Sequence, residues 1–222
     1  MRDKIRVINP NSNAAVTASM SQALEPLRVA GGPEITCVTL EDGPFGIESQ
    51  ADINAVGSLL VDDIHGDGQS AAFVIACYSD PGLARCREVT RRPVFGIAEC
   101  AILTALTRAP SFGVISILST SIQRHMRHLR ERSLDARCAG DRALEMSVAE
   151  VESGERTYEK MVQVGRLLRD KDHAGAIIMG CAGMAKHRVP LERELGIPVI
   201  DPVQAAVGMA VTAVQLDGAV ST

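Results

Sequence analysis

The sequence predicts an α/β fold of two pseudo-symmetric lobes, each a mostly parallel sheet flanked by helices, with the active site in the cleft between them. Three observations predict it. Short apolar runs alternate with longer helical stretches along most of the 222 residues. Most of these runs are continuously apolar rather than alternating, as strands are when helices cover both faces of a parallel sheet. The second half of the chain also repeats the plan of the first.

Taken in order, the strand candidates are residues 5–8, 35–40, 72–76, 93–95, 112–115, 176–179 and 198–200. Helical periodicity falls between and after them, for example over 14–27, 51–64, 83–90, 98–108, 121–132, 158–169 and 202–216. Strand, helix, strand in this rhythm is the signature of parallel α/β architecture. The repeat is visible when FVIACYSDPGLARCREVTRRPVFGIAECA, from Phe73, is laid beside AIIMGCAGMAKHRVPLERELGIPVIDPVQAA, from Ala176. Both run apolar strand, Cys, small-residue turn, charged helix, Pro-Val and a second apolar strand. Cys77 and Cys181 lie 104 residues apart, Pro93 and Pro198 lie 105 apart, and Ile8 and Ile115 lie 107 apart. The expected first lobe is therefore 1–98, with 209–222 packing back on it, and the second is 99–208.

Composition narrows the class of partner. Hydrophobic residues make up 46% of the chain, but aromatics only 3%, and Trp is absent. So few aromatics leave little to stack on single-stranded bases. The formal net charge is −4, with charges of both signs interspersed. No basic footprint for nucleic acid or an anionic membrane is present. The one basic stretch, 124–132, reads as a solvated helix face. No segment approaches the roughly 18 continuous apolar residues of a membrane span, and 5–8 is too short for the core of a signal peptide. A cytoplasmic protein with a small-molecule partner is the expectation.

The six cysteines, at 37, 77, 86, 100, 138 and 181, read as reduced thiols in a chain of this length without a secretion signal. None is paired in C-x-x-C spacing, so no structural zinc site is expected. His125 and His128, with Glu131, are surrounded by arginines, and no metal is expected there.

Ligands of open α/β sheets bind beyond the C-terminal ends of the strands. Four small-polar loops fall at that position: NPNSN at 9–13, CYSDPG at 77–82, LSTS at 118–121 and CAGM at 181–184. Each lobe contributes one cysteine loop and one hydroxyl- or amide-rich loop, and pseudo-symmetry sets Cys77 and Cys181 opposite each other. Stereoinversion at carbon needs such a pair: one base removes a proton from one face while a conjugate acid delivers one to the other. A thiol's ordinary pKa of about 8.5 falls towards neutrality at a helix N-terminus, so lowered thiol pKa values are expected. Asp80 and Pro81 read as an N-cap and N1 pair.

INPNS, IACYSDPGL, PVFGIAECA and IMGCAGM, in this order and spacing over about residues 5–204, resemble the hydantoin racemases of the aspartate/glutamate racemase superfamily, including allantoin racemase-like members. The resemblance implies two Rossmann-like lobes, no cofactor, a homo-oligomer, and Cys77 and Cys181 as the acid/base pair. It also implies that Asn11, Ser79, Asp80, Ser119, Thr120 and Gly183 line the substrate site. One departure is in the first loop, where hydantoin racemases often read Cys-Phe-Gly-Asp-Pro and this chain has Cys77-Tyr78-Ser79-Asp80-Pro81. The implied reaction is racemisation at C5 of 5-monosubstituted hydantoins. Its rivals are an aspartate- or glutamate-type amino-acid racemase, a maleate isomerase-like enzyme, and a non-catalytic binding or sensor protein on the same plan.

Overall fold

A computed structural model describes residues 3–154 and 156–220. Positions 1–2 and 221–222, the two ends assigned to the first lobe, lie outside the described residues. Among the described residues eight strands form two four-stranded sheets, and every pairing is parallel. The first comprises β1 (Lys4–Asn9), β2 (Glu34–Thr39), β3 (Ala72–Ile75) and β4 (Val94–Gly96), in the order β2-β1-β3-β4. The second comprises β5 (Phe112–Ser116), β6 (Cys138–Ala143), β7 (Ala176–Met179) and β8 (Val199–Ile200), in the order β6-β5-β7-β8. The two orders are the same, so the repeat in the sequence is a repeat of topology.

The helices are α1 (Ala14–Ala23), α2 (Gln50–Gly66), α3 (Leu83–Val89), α4 (Ile97–Arg108), α5 (Ser119–Glu131), α6 (Val148–Ser153), α7 (Thr157–Asp170), α8 (Arg188–Leu195) and α9 (Pro202–Val220). Expected and observed elements agree except at three places. The helix expected over 14–27 ends at Ala23 and continues, after Leu24, as a 3-10 turn over Glu25–Leu27. Pro26 lacks the N–H that an unbroken helix needs. The strand β6 (CAGDRA) and the helix α6 have no counterpart among the expected elements. The strand is half-buried along its whole length and carries no β-branched residue. It is an edge strand formed because β5 offers it an open ladder.

Central strands carry the core. Every residue of β3, β5 and β7 is buried, which is why their sequences are continuous apolar runs. The helices that follow the last strand of each sheet cross over. Helix α4, after β4, packs against β5, β7 and β8, whereas α9, after β8, packs against β1, β3, β4 and α4. Each sheet is thereby covered by a helix from the other half of the chain.

Candidate active site

In both sheets the chain winds one way from the first strand and the other way from the third. A crevice opens at such a switch point, beyond the strand ends. It lies between β1 and β3 in one sheet and between β5 and β7 in the other. The loops leaving these four central strands are the four small-polar loops of the sequence, and they converge on one cavity of about 40 Å³. Asn11, Cys77, Ser79, Leu118, Ser121 and Cys181 line it, one or two from each loop.

Each loop is fixed by its own hydrogen bonds. Asn9, fully buried, donates from Nδ2 to Asn11 Oδ1 (3.0 Å), to the Asn13 carbonyl (3.2 Å) and to Thr17 Oγ1 (3.0 Å). Asn13 caps α1 by accepting from the Ala15 N–H at 3.1 Å. After β3, the Asp80 N–H closes a turn onto the Cys77 carbonyl at 2.9 Å, with Asp80 itself at a φ of 43°. After β7, the chain passes so close to β5 that a Cβ on Gly180 would lie 2.7 Å from the Ile115 carbonyl oxygen. Glycine at 180 is what lets Cys181 reach the crevice.

The structure brings Asn11, Ser79, Cys77 and Cys181 together, and the other expected residues lie elsewhere. Gly183 is buried, and its backbone N–H donates to the Cys181 sulfur. Ser119 and Thr120 are exposed in the first turn of α5 and do not line the cavity. Asp80 is buried beneath the loop, where its carboxylate accepts from the N–H groups of Ala98 and Glu99, both at 2.9 Å. It therefore caps α4 rather than α3, whose own cap is Gly82.

Neither thiol has the lowered pKa that a strand–helix junction suggests. Burial pushes Cys77 up to about 12, against which the Ser79 N–H acts, while Cys181 and Asp80 add to the rise. Burial likewise pushes Cys181 up to about 11, opposed by the Gly183 N–H and reinforced by Glu48 and Asp201. Desolvation decides because a thiolate here loses water on nearly every side. The charge of Cys181 is among the causes that raise Cys77, and both residues line the one cavity.

Four further residues at this wall were not among the expected set. Glu48, from the loop before α2, lines the cavity and accepts from the Val148 N–H through Oε1 at 2.8 Å. Arg124 lines it from α5, donating from Nη2 to the Glu48 carbonyl at 3.0 Å and from Nη1 to Thr120 at 3.0 Å. Its Nε is buried without a partner among the described residues. His125 and Tyr78 complete the wall, with the Tyr78 ring edge-on to the imidazole at 5.1 Å. Tyr78, Ser79, Arg124 and His125 also border an adjoining cavity of about 200 Å³, whose other walls include Ile53, Ile102, Val114 and Leu129. The stretch 124–132 is thus a solvated face only at positions such as Arg127 and Arg130, while Ser121, His125 and Leu129 point inward. Their spacing of four residues was the available signal. Among the described residues, no group of three or more His, Cys, Asp or Glu side chains is arranged to hold a metal ion. No helix among the described residues is long and apolar enough to cross a membrane.

A family model described as "Asp/Glu/Hydantoin racemase" matches residues 5–210 of the chain. A hydantoin racemase of Pseudomonas sp. (strain NS671) is 38% identical over 217 residues, covering 96% of this chain and 86% of that protein. A hydantoin racemase of Paenarthrobacter aurescens is 35% identical over 218 residues, covering 96% and 92%. Among solved structures, an allantoin racemase from Klebsiella pneumoniae superposes with a TM-score of 0.89 at 32% identity, covering 97% of this chain and 89% of that one.

Proposed function

This chain belongs to the Asp/Glu/hydantoin racemase family and is a racemase, and from that premise we propose that it inverts C5 of 5-monosubstituted hydantoins, allantoin among them, with Cys77 and Cys181 as its two acid/base groups. One observation carries the reading: two cysteines from equivalent places in two topologically identical halves line a single cavity. One thiolate takes the C5 proton and becomes a thiol. The electron pair passes into the adjacent carbonyl, giving a planar enolate. The opposite thiol then delivers its proton to the other face and becomes the thiolate. Substrate leaves inverted, and the two sulfurs have exchanged protonation states. The ring requires no carrier for its electrons, so the reaction needs no cofactor. In the same reading the protein works in the cytoplasm, as a homo-oligomer, on a small molecule alone.

A second reading, an aspartate- or glutamate-type racemase, has Arg124 in its favour. That guanidinium stands at the cavity wall and forms no ion pair within 4 Å among the described residues. Glu48, on the same wall, opposes it, because a carboxylate substrate would face a like charge.

Single-enantiomer hydantoins incubated in deuterated water separate the readings, with optical rotation and the C5 proton signal followed against an enzyme-free control. Loss of both signals is expected, abolished by Cys77→Ala or Cys181→Ala to at least about a hundredfold below wild type. A Cys181→Ala protein racemising at the normal rate would falsify the two-thiol assignment. Inactivity on hydantoins with turnover of glutamate or aspartate would establish the second reading.

A further inference from the structure

The Cys77–Cys181 cavity and its larger neighbour meet at His125, a residue buried to 8% exposure in the middle of α5. Its Nδ1 donates to Asp141 Oδ2 at 2.8 Å, with Ser116 Oγ 3.2 Å away. The Asp141 side chain, on β6, is 2% exposed, and Ser116 donates to its other oxygen. Among the described residues no other cation stands within 4 Å of that carboxylate. Nδ1 must therefore carry hydrogen, and the Tyr78 ring edge, at 5.1 Å and 82°, fixes the plane of the imidazole. Nε2 is left without a protein hydrogen-bond partner among the described residues, on a side chain that lines both cavities.

A buried carboxylate orienting an imidazole whose second nitrogen has no protein partner among the described residues is costly as a purely structural device. The same packing could be held by an apolar side chain without desolvating Asp141. Tyr78 follows Cys77 directly, so the imidazole stands beside the thiol loop.

We propose that His125, held by Asp141, is a substrate-contacting residue that donates from Nε2 to the carbonyl oxygen next to the inverted carbon, where negative charge develops when the proton leaves. Donation from Nε2 uses the doubly protonated ring, whose charge Asp141 balances. Asp141 and Ser116 are positioning residues, acting through the imidazole. This role rests on the racemase reading above and adds to it the group that stabilises the enolate.

The two nitrogens can be separated by substitution. In His125→Asn the amide nitrogen replaces Nδ1 and keeps the bond to Asp141, but nothing reaches the position of Nε2. In His125→Gln the amide reaches that position and the Asp141 bond is lost. Melting temperature and kcat/KM are measured for both on a hydantoin that wild type racemises. The Asn variant is expected to melt near wild type and to lose on the order of a hundredfold in kcat/KM, as removal of one oxyanion donor does. The Gln variant is expected to stay within about tenfold of wild-type kcat/KM despite a lower melting temperature. Wild-type kcat/KM in the Asn variant, or losses that follow the melting temperatures instead, would overturn the role alone. A wild-type protein inactive on every hydantoin would overturn the racemisation reading and this role with it.

Discussion

At the scale of single residues, burial and hydrogen bonding compete at each thiol, and burial wins, leaving Cys77 near 12 and Cys181 near 11. A backbone N–H at each sulfur, joined at Cys77 by the Ser79 hydroxyl, is too little to offset the loss of water around a charge. A thiol near 11 is ionised in only about one molecule in ten thousand at pH 7. In the proposed two-thiol mechanism the neutral thiol is no base, so turnover draws on the fraction that has lost its proton. We expect the ultraviolet absorbance of the thiolate to climb by about tenfold per pH unit between pH 8 and 10, a titration that needs no substrate. A profile flat over that range would mean that a thiolate is already formed at neutral pH.

At the scale of elements, the N-terminus of α4 shows how one loop controls its neighbour. Asp80 accepts from two of that helix's free N–H groups, and Gly96 leaves the space it needs. A Cβ at 96 would lie 2.3 Å from Asp80 Cγ, a separation at which something must move. Gly96→Ala should displace the carboxylate, cost about 1–3 kcal/mol and disturb the 77–82 loop together with the helix. A melting temperature unchanged from wild type would show that Asp80 does not hold α4. Burial raises Asp80 to about 7 in spite of those two bonds. Its contribution to stability is therefore full below the ordinary carboxyl pKa of about 3.9 and lost as pH rises through about 7. Asp80→Asn should flatten this part of the stability–pH curve.

At the scale of the whole molecule, the site is closed by contacts between segments far apart in the chain. Glu48, before α2, takes the Val148 N–H with its side chain and the Arg124 guanidinium with its carbonyl. These bonds strap the loop over the cysteine cavity. Removing the side chain should open it, and removing only the charge should not. Alkylation of Cys77 and Cys181 by iodoacetamide is expected to be fastest in Glu48→Ala, slower in Glu48→Gln and slowest in wild type. The Gln variant keeps an oxygen for Val148 and loses only the charge that raises Cys181. Equal rates in Ala and Gln variants would leave the charge as the whole effect and the strap without one.

The sequence by itself determined the α/β class, the doubled strand–helix plan and the four loops at the strand ends. Local patterns suffice for these: continuous apolar runs mark strands covered on both faces, and small polar residues after them mark turns. It also singled out Cys77 and Cys181, because a repeat 104 residues apart is visible in one dimension. Only the tertiary structure decided that the sulfurs share one cavity and that burial raises their pKa. The same holds for Asp80 capping a helix that begins seventeen residues further on, and for Ser119 and Thr120 facing solvent. His125, Arg124 and Glu48 belong to the wall because α5 turns one face inward and a distant loop is strapped across it. Desolvation and long-range hydrogen bonds depend on what surrounds a group in space, and residue order alone does not specify those surroundings.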